Sequence, residues 1–271
     1  MDIKRNPDLI SLISNIRLEI AEAGLAMLDS RWNNSDVRSP FSRLYYIRGG
    51  EGTLLLPSGQ CCLSAGSCYL IPAGLGYRYQ CDDWMEQLYF HINLYLPNGI
   101  DLFFGCQDCY RLPVSDQQMQ QVYQLYQKSD AASALRLKSA LLSDIAKLIE
   151  LSGAGAQVLH YSPLLTRLFP VAQRNISSGC TAKKLAEELH VSESTLSKRF
   201  RQETGLTLGA YLDHLLFTRA CQLLLSSPMS IGEISEQLGF CDQFYFARYF
   251  KNHQQQTPSE YRRRAASLSS K

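Results

Sequence analysis

Arginine and lysine can donate to O6 and N7 of guanine. Glutamine can bond adenine twice, and a phenyl ring or an alanine methyl can touch the methyl of thymine. Gln243, Phe244, Ala247, Arg248 and Lys251 are residues of these types, and their spacing places them together on the outward side of a helix predicted over 243–252. The opposite side carries Phe246 and Phe250 at i, i+4, the spacing of two core anchors. The segment 193–203 repeats the division, with Leu196 and Phe200 as anchors and Ser194, Ser197, Lys198 and Arg201 facing outward. Serine reaches less far than glutamine or arginine, so weaker base selectivity is expected at Ser194 and Ser197 than at Gln243 and Arg248. One such helix alone would be read as amphipathic with a solvated face, so the surrounding elements must decide.

Those elements form a repeat. Leu185, Leu189 and Val191 recur 49 residues later as Ile234, Leu238 and Phe240, whereas Leu196 and Phe200 recur 50 residues later as Phe246 and Phe250. The second copy therefore has one extra residue in its turn. In the first copy Thr181 can cap a helix over 182–189, His190-Val191-Ser192 makes a turn, and Ser192 caps 193–203. In the second, Ser230 caps 231–238, Gly239 sits where a helix end needs positive φ, and Asp242 caps 243–252. Helix, tight turn, helix, present twice, is the layout of DNA-reading helix-turn-helix units. The charge agrees: residues 160–271 hold 14 Lys and Arg against 9 Asp and Glu, a net of +5, while 1–159 hold 13 against 16, a net of −3. Only the C-terminal part is suited to meet a polyanion. Phosphate contacts are expected from Lys183, Lys184, Arg199, Arg201 and Lys251, or from helix N-termini.

At these residues the chain resembles the AraC/XylS family of transcription regulators, densely over about 160–264. The residues that carry the likeness are Gly239-Phe240-Cys241-Asp242-Gln243-Phe244-Tyr245-Phe246, continuing through Ala247-Arg248-Tyr249-Phe250-Lys251, and the tail Thr257-Pro258-Ser259-Glu260-Tyr261-Arg262. The first repeat adds Leu185-Ala186, Leu196, Phe200 and Glu203-Thr204-Gly205, and a connecting helix over 208–225 carries Ala220 and Leu223-Leu224. The resemblance implies base contacts at Ser194, Ser197 and Lys198 in the first copy and at Gln243, Phe244, Ala247 and Arg248 in the second. It also implies recognition helices set about 34 Å apart on one face of the duplex, and it implies transcription activation. Three positions depart from the pattern: Leu216 stands for Arg, which removes a charged donor, Gln255 for Gly, and Ser235 for Ala.

The N-terminal part has a different period. Short apolar or aromatic runs at 16–28, 41–47, 53–56, 68–71, 77–81 and 87–96 are separated by turn residues, which predicts a sandwich or small barrel. Gly49-Gly50-Glu51-Gly52 has no phosphate-loop spacing and reads as a hairpin turn. Gly50-Glu51-Gly52, the run Leu63–Gly74 and Tyr77-Arg78-Tyr79 resemble the cupin-like sensor barrel of AraC-type regulators. That resemblance implies a ligand pocket near Tyr79, Glu86 and Leu88, and strand parity adds Arg43 and Tyr45. Aromatic faces with polar tips suit a sugar. After about 112 the period becomes helical. Leu137, Leu141, Ile145, Leu148 and Ile149 make one stripe, which would pack either on the barrel or against a second subunit. Ser152-Gly153-Ala154-Gly155-Ala156 reads as a linker.

Catalysis is not expected. His91 is the sole histidine before His160, so a three-histidine metal set cannot be assembled in the barrel, no Ser/His/Asp arrangement can be argued from it, and no cofactor or metal is expected. The nine cysteines, with Cys106-Gln107-Asp108-Cys109 as a lone CxxC, read as reduced thiols. A thiol- or metal-sensing regulator is the alternative, and a cupin enzyme with an accessory DNA-binding domain is the remaining one. No apolar run approaches the roughly 20 residues of a membrane span, and the N-terminus has no signal-peptide pattern, so a cytoplasmic protein without membrane partners is expected.

The expected fold is multidomain α+β. A cupin-like ligand-sensing barrel spans 1–112, a helical dimerisation segment and linker spans 113–159, and an all-α domain with two helix-turn-helix units spans 160–271. The expected partners are double-stranded DNA, a small carbohydrate-like effector, a second copy of the chain, and RNA polymerase for activation.

Overall fold

The computed structural model describes residues 6–96, 98–104, 106–154, 161–254 and 256–269. The chain gathers into two compact units, one made of 17–94 and 101–158, the other of 1–16, 95–100 and 159–271. The fold is α+β, with antiparallel strands and two helices in the first unit and helices in the second. Gln255 and the expected linker from 155 onward lie outside the described residues.

The first unit is organised around one long strand. The strands are β1 (Arg17–Asp29), β2 (Asn33–Val37), β3 (Ser42–Leu56), β4 (Gly59–Ser64), β5 (Ser67–Ile71), β6 (Tyr77–Gln80), β7 (Trp84–Tyr95) and β8 (Tyr110–Pro113). The main path runs β1-β7-β3-β5-β8, while β4 and β6 pair with the far half of β3 and β2 pairs with β6. Gly49–Gly52 is therefore not a hairpin turn, as its composition suggested. It is a bulged bend inside β3, where the register against β7 shifts between Ile47 and Gly49. The bend lets one strand serve two sheets, with β5 along Arg43–Ile47 and β4 along Glu51–Leu56. Gly50 is required at the bend. Its φ is 69°, and a Cβ there would lie 2.1 Å from the Trp84 carbonyl oxygen. The actual hairpin is at Pro57-Ser58-Gly59.

The strand faces are sharply divided. Leu88, Phe90, Ile92 and Leu94 of β7 join Leu44 and Tyr46 of β3 in a core with α2 (Asp116–Tyr126) and α3 (Ala131–Ser152). Tyr45, Ile47, Leu54, Tyr69, Tyr77 and Met85 fill the other side, between the two halves of the barrel. The α3 stripe is spent largely within this unit, since Leu141, Ile145 and Leu148 are buried in the first of these cores. Asp144, on the same stripe, is fully buried as well. It accepts from the Tyr46 hydroxyl at 2.8 Å and from the Gln118 amide at 2.6 Å, with Lys147 at 3.4 Å.

The second unit contains α1 (Pro7–Asn15) and a run of seven helices: α4 (Pro163–Arg174), α5 (Ala182–Glu188), α6 (Glu193–Thr204), α7 (Leu208–Ser226), α8 (Ile231–Gln237), α9 (Gln243–Gln254) and α10 (Pro258–Ser269). They make two cores. Leu185, Leu196 and Phe200 pack with α4 and the first half of α7 through Leu208, Tyr211 and Leu215. Ile234, Phe246 and Phe250 pack with Tyr261 and the second half of α7 through Leu216, Phe217, Ala220 and Leu224. This division explains why α7 is apolar on most of its circumference. It also explains Leu216, which is 7% exposed and filled by core contacts where a charge would be out of place.

Candidate nucleic-acid interface and barrel interior

Each helix-turn-helix copy is built from side-chain caps. Thr181 Oγ1 accepts from Lys184 N at 3.3 Å, and Ser192 Oγ accepts from Thr195 N at 3.1 Å. In the second copy Ser230 and Glu233 form a reciprocal capping box, with bonds of 3.2 and 2.7 Å. Asp242 Oδ1 accepts from Tyr245 N at 2.7 Å, and that bond holds the Asp242 carboxyl below its ordinary value. The turns differ in one telling respect. Gly239 has φ 73°, and its counterpart His190 adopts φ 58°, the single non-glycine residue with positive φ among the described ones. The second turn is also crowded: a Cβ on Gly239 would lie 3.3 Å from Ser177 Cβ, and the Ser178 hydroxyl donates to the Gly239 carbonyl. The segment 175–180 therefore buttresses the second reader, a role that nothing in its composition announced.

The caps and anchors leave one face of α6 and one of α9 in solvent. On α6, Ser194, Lys198 and Arg201 are exposed and Ser197 is half-buried. On α9, Gln243, Phe244, Arg248 and Lys251 are exposed and Ala247 is half-buried. Phe244 is 71% exposed, a large apolar ring left in water by a protein that buries its twin anchors completely. The Arg248 guanidinium lies 5.8 Å from the Tyr245 ring centroid, so a ring flanks the side chain. Ser194 Oγ is 3.1 Å from Ser192 Oγ, which ties a reading position to the cap beside it. Among the expected phosphate ligands, Arg199 pairs with Glu203 at 3.0 Å and Lys184 Nζ donates to the Gly179 carbonyl at 2.8 Å, so both also hold local structure.

A charge pair fixes α9 to α7. His253 Nε2 is 2.8 Å from Asp213 Oδ2, and His253 Nδ1 is 2.9 Å from the Tyr249 carbonyl. Both partners accept, so both ring nitrogens must donate, which requires the imidazolium. The hydrogen bond to Asp213 raises the His253 pKa against burial, and the same bond lowers that of Asp213. Tyr249 also donates to Asp213, at 3.0 Å, and His214 is the other titratable group that acts on this carboxylate. A raised histidine contributes stability that is complete below its ordinary value of 6.5 and is lost as pH rises through the raised value. The helical unit should therefore melt earlier as pH climbs from 6 to 9, followed by circular dichroism at about 222 nm in the helical band. His253→Gln should flatten that dependence; an unchanged pH slope in the variant would remove the pair from the account.

Inside the barrel, polar and aromatic groups converge. Glu22 of β1 accepts from the Tyr89 hydroxyl at 2.9 Å and faces His91 Nδ1 at 3.0 Å. Burial lowers the His91 pKa to about 4, with Glu22 opposing, so at neutral pH the ring is uncharged and its Nδ1–H donates to the carboxylate. Gly24 is pressed against this group, since a Cβ there would meet the Tyr89 ring at 2.7 Å. The Arg43 guanidinium lies over Phe41 at 5.1 Å and Tyr77 at 5.5 Å and donates to Ser39 at 2.7 Å. Trp32 stacks on Tyr79 at 4.2 Å. Burial raises the Tyr45 phenol well above its ordinary value, with Tyr77 and Tyr79 adding to the shift and Arg43 opposing it.

Of the expected pocket residues, Arg43, Tyr45 and Tyr79 are thus brought together, but Glu86 and Leu88 are not with them. Both lie on the other face of β7: Leu88 is in the core with α2 and α3, and Glu86 pairs with Arg48 at 3.2 Å. The odd positions of β7, Tyr89 and His91, face the interior instead, together with Glu22. Tyr89 has the aromatic face and polar tip expected of a pocket residue and His91 is hydrogen-bonded within the barrel, as the sequence suggests for both, whereas Glu22 had no sequence signal. Among the described residues no group of three or more His, Cys, Asp or Glu is placed to hold a metal ion, and no helix is long and apolar enough to cross a membrane.

Comparison with known proteins supports both parts. Residues 185–264 match a family model described as a helix-turn-helix domain. The Msm operon regulatory protein of Streptococcus mutans is 24% identical over 93% of this chain and 94% of its own length. The raffinose operon transcriptional regulatory protein RafR of Pediococcus pentosaceus is 27% identical over 93% of this chain and 95% of its own. The HTH-type transcriptional activator RhaR of Salmonella dublin is 34% identical over 36% of this chain and 35% of its own. The solved structure of ToxT from Vibrio cholerae superposes with a TM-score of 0.58 at 12% identity, covering 89% of this chain and 97% of that one, a likeness of fold.

Proposed function

We propose that this chain, a DNA-binding transcription regulator of AraC type, controls carbohydrate-related genes in response to a small sugar-like molecule held in its barrel. The observation that carries the reading is the pair of relatives named for the Msm and raffinose operons, whose similarity extends along nearly the whole chain and so includes the barrel. The barrel interior supports it chemically. Stacked Trp32 and Tyr79 offer aromatic face, while Arg43, Glu22 and His91 offer directed donors and acceptors. Binding rather than catalysis is the reading for the barrel, because its one histidine is committed to Glu22.

The regulator works as a homodimer in the cytoplasm, with α2 and α3 as the pairing elements. Leu135 and Leu142, one heptad apart on α3, are exposed and available to a second copy. Activation proceeds through contact with RNA polymerase at the promoter. The effector acts by its different affinity for the active and inactive arrangements of the chain.

The test is affinity selection of genomic fragments by the purified chain at near-physiological salt, with and without candidate sugars. The expected result is a shared element of two short blocks about one helical turn apart, next to genes of sugar uptake or breakdown. A shared element beside unrelated genes, unmoved by sugars, would overturn the carbohydrate reading while leaving DNA binding intact. On the selected site, Arg248→Ala should cost about 1–3 kcal/mol and relax the preference at one base pair. An equal loss on random DNA, measured by fluorescence anisotropy, would reduce Arg248 to a phosphate contact.

A further inference from the structure

The nine cysteines have no place in the reading above, yet two of them meet. Cys61 lies on β4, opposite Leu54 of β3, and Cys109 immediately precedes β8. They are far apart in sequence, and the CxxC pattern would have joined Cys109 to Cys106 instead. The fold selects the other partner: Cys61 and Cys109 pack against the same barrel core, and each is the neighbour that acts most strongly on the other's thiol, whereas the neighbour that acts most on Cys106 is Tyr110. A second contact holds the same two segments together, from the Ser58 hydroxyl of the β3–β4 turn to Asp108 Oδ1 at 3.1 Å. The Asp108 carboxylate in turn accepts from Cys109 N at 2.8 Å, which fixes the backbone that carries the thiol. Both cysteines are partly open to solvent and both pack against the barrel core.

We propose that Cys61 and Cys109 are an oxidisable dithiol that closes to a reversible disulfide under a peroxide. The two thiols have unequal roles. Cys109 lowers the Cys61 pKa, outweighing burial and the Asp108 carboxylate, which both raise it, and Arg111 acts in the same direction as Cys109. Cys109 is itself raised by Cys61 and by burial. Cys61 is therefore the attacking thiolate and Cys109 the resolving thiol. The Cys61 sulfur attacks one peroxide oxygen, the O–O bond breaks, and the second oxygen leaves as hydroxide and takes up a proton as water. The Cys109 sulfur then attacks the Cys61 sulfenic sulfur as its proton is removed. The S–S bond forms and the hydroxyl leaves as a second water. Two thiols are oxidised by two electrons and one peroxide is reduced to two waters. The bond would clamp the β3–β4 hairpin to the approach of β8, and it is independent of any ligand in the barrel.

The experiment is treatment of the full chain with a slight excess of hydrogen peroxide, alkylation of the remaining thiols, and peptide mapping without reductant. A peptide pair linking Cys61 to Cys109 should dominate, with loss of two alkylatable thiols per chain and full recovery on adding dithiothreitol. Cys61→Ser and Cys109→Ser should each abolish the link, and Cys106→Ser should leave it unchanged. Two results would overturn the assignment. One is a Cys106–Cys109 link in the native chain. The other is oxidation confined to the exposed Cys62 and Cys241 while Cys61 and Cys109 stay free. Mapping the native chain decides the matter even where a serine variant folds poorly.

Discussion

Phe250→Ala should destabilise the second helix-turn-helix by about 3–5 kcal/mol, the cost of removing a fully buried ring and leaving a cavity. Phe250 is completely buried, with Tyr261 at 5.3 Å, Phe217 at 5.4 Å and Phe246 at 6.0 Å between ring centroids. Its loss would loosen α9 from α7 and α10 together, so the reading face that carries Gln243 and Arg248 would no longer be held in place. The first reader has its own core around Phe200, which packs on Tyr211 at 5.0 Å and shares no buried residue with the second. The variant should therefore keep contacts to one block of the operator and lose the other. Footprinting reads this directly. Protection that disappears from both blocks at once would show that the two cores fold as one.

The second large effect is expected in the barrel unit. Asp144→Ala should cost about 2–4 kcal/mol, because it strands buried donors, each worth about 1–3 kcal/mol when unpaired. The Tyr46 hydroxyl loses its 2.8 Å acceptor in a site with no solvent, whereas the Gln118 side chain can turn toward water. Restoring the balance should restore stability. Tyr46→Phe combined with Asp144→Leu should cost less than the sum of the two single changes, since no polar group is then left unpaired. Denaturation followed by tryptophan fluorescence isolates this unit, because both tryptophans of the chain, Trp32 and Trp84, belong to it. Strict additivity would mean that the Tyr46–Asp144 bond contributes nothing.

The two parts of the chain were unequally legible. In the helical part each structural decision is local. A cap is set by one side chain three residues from its donor, and anchors are set by i, i+4 spacing. Thr181, Ser192, Ser230 and Asp242 could thus be read as caps, and the helix limits agree within two residues. In the barrel the decisions are not local. A strand says which residues share a face, but not which face is inside. Glu86 and Leu88 were placed by resemblance to the sensor barrel, and nothing in the local alternation of β7 could show that they lie on the face away from Arg43 and Tyr45. The bulge at Gly49 added a second uncertainty, since it reverses the parity of β3 midway. β2, β4 and β8 were not foreseen, because Asn33–Val37 is polar, Gly59–Ser64 has one large apolar residue, and Tyr110–Pro113 is very short, which leaves little alternation to detect. The Cys61–Cys109 contact depends on tertiary folding alone and has no sequence signal beyond the presence of the two thiols.

The single helix α7 serves both cores, and this has a consequence for how DNA sites of this protein can change over evolutionary time. With one continuous helix as the spacer, the distance and angle between the two reading faces are fixed by hydrogen-bonded backbone rather than by a flexible joint. Substitutions in an operator then act one base at a time and can be tolerated or compensated. A single inserted base pair between the blocks turns the second by roughly 35° about the duplex axis, and a rigid spacer cannot follow. Operators of this protein should drift freely in spelling while their length stays frozen.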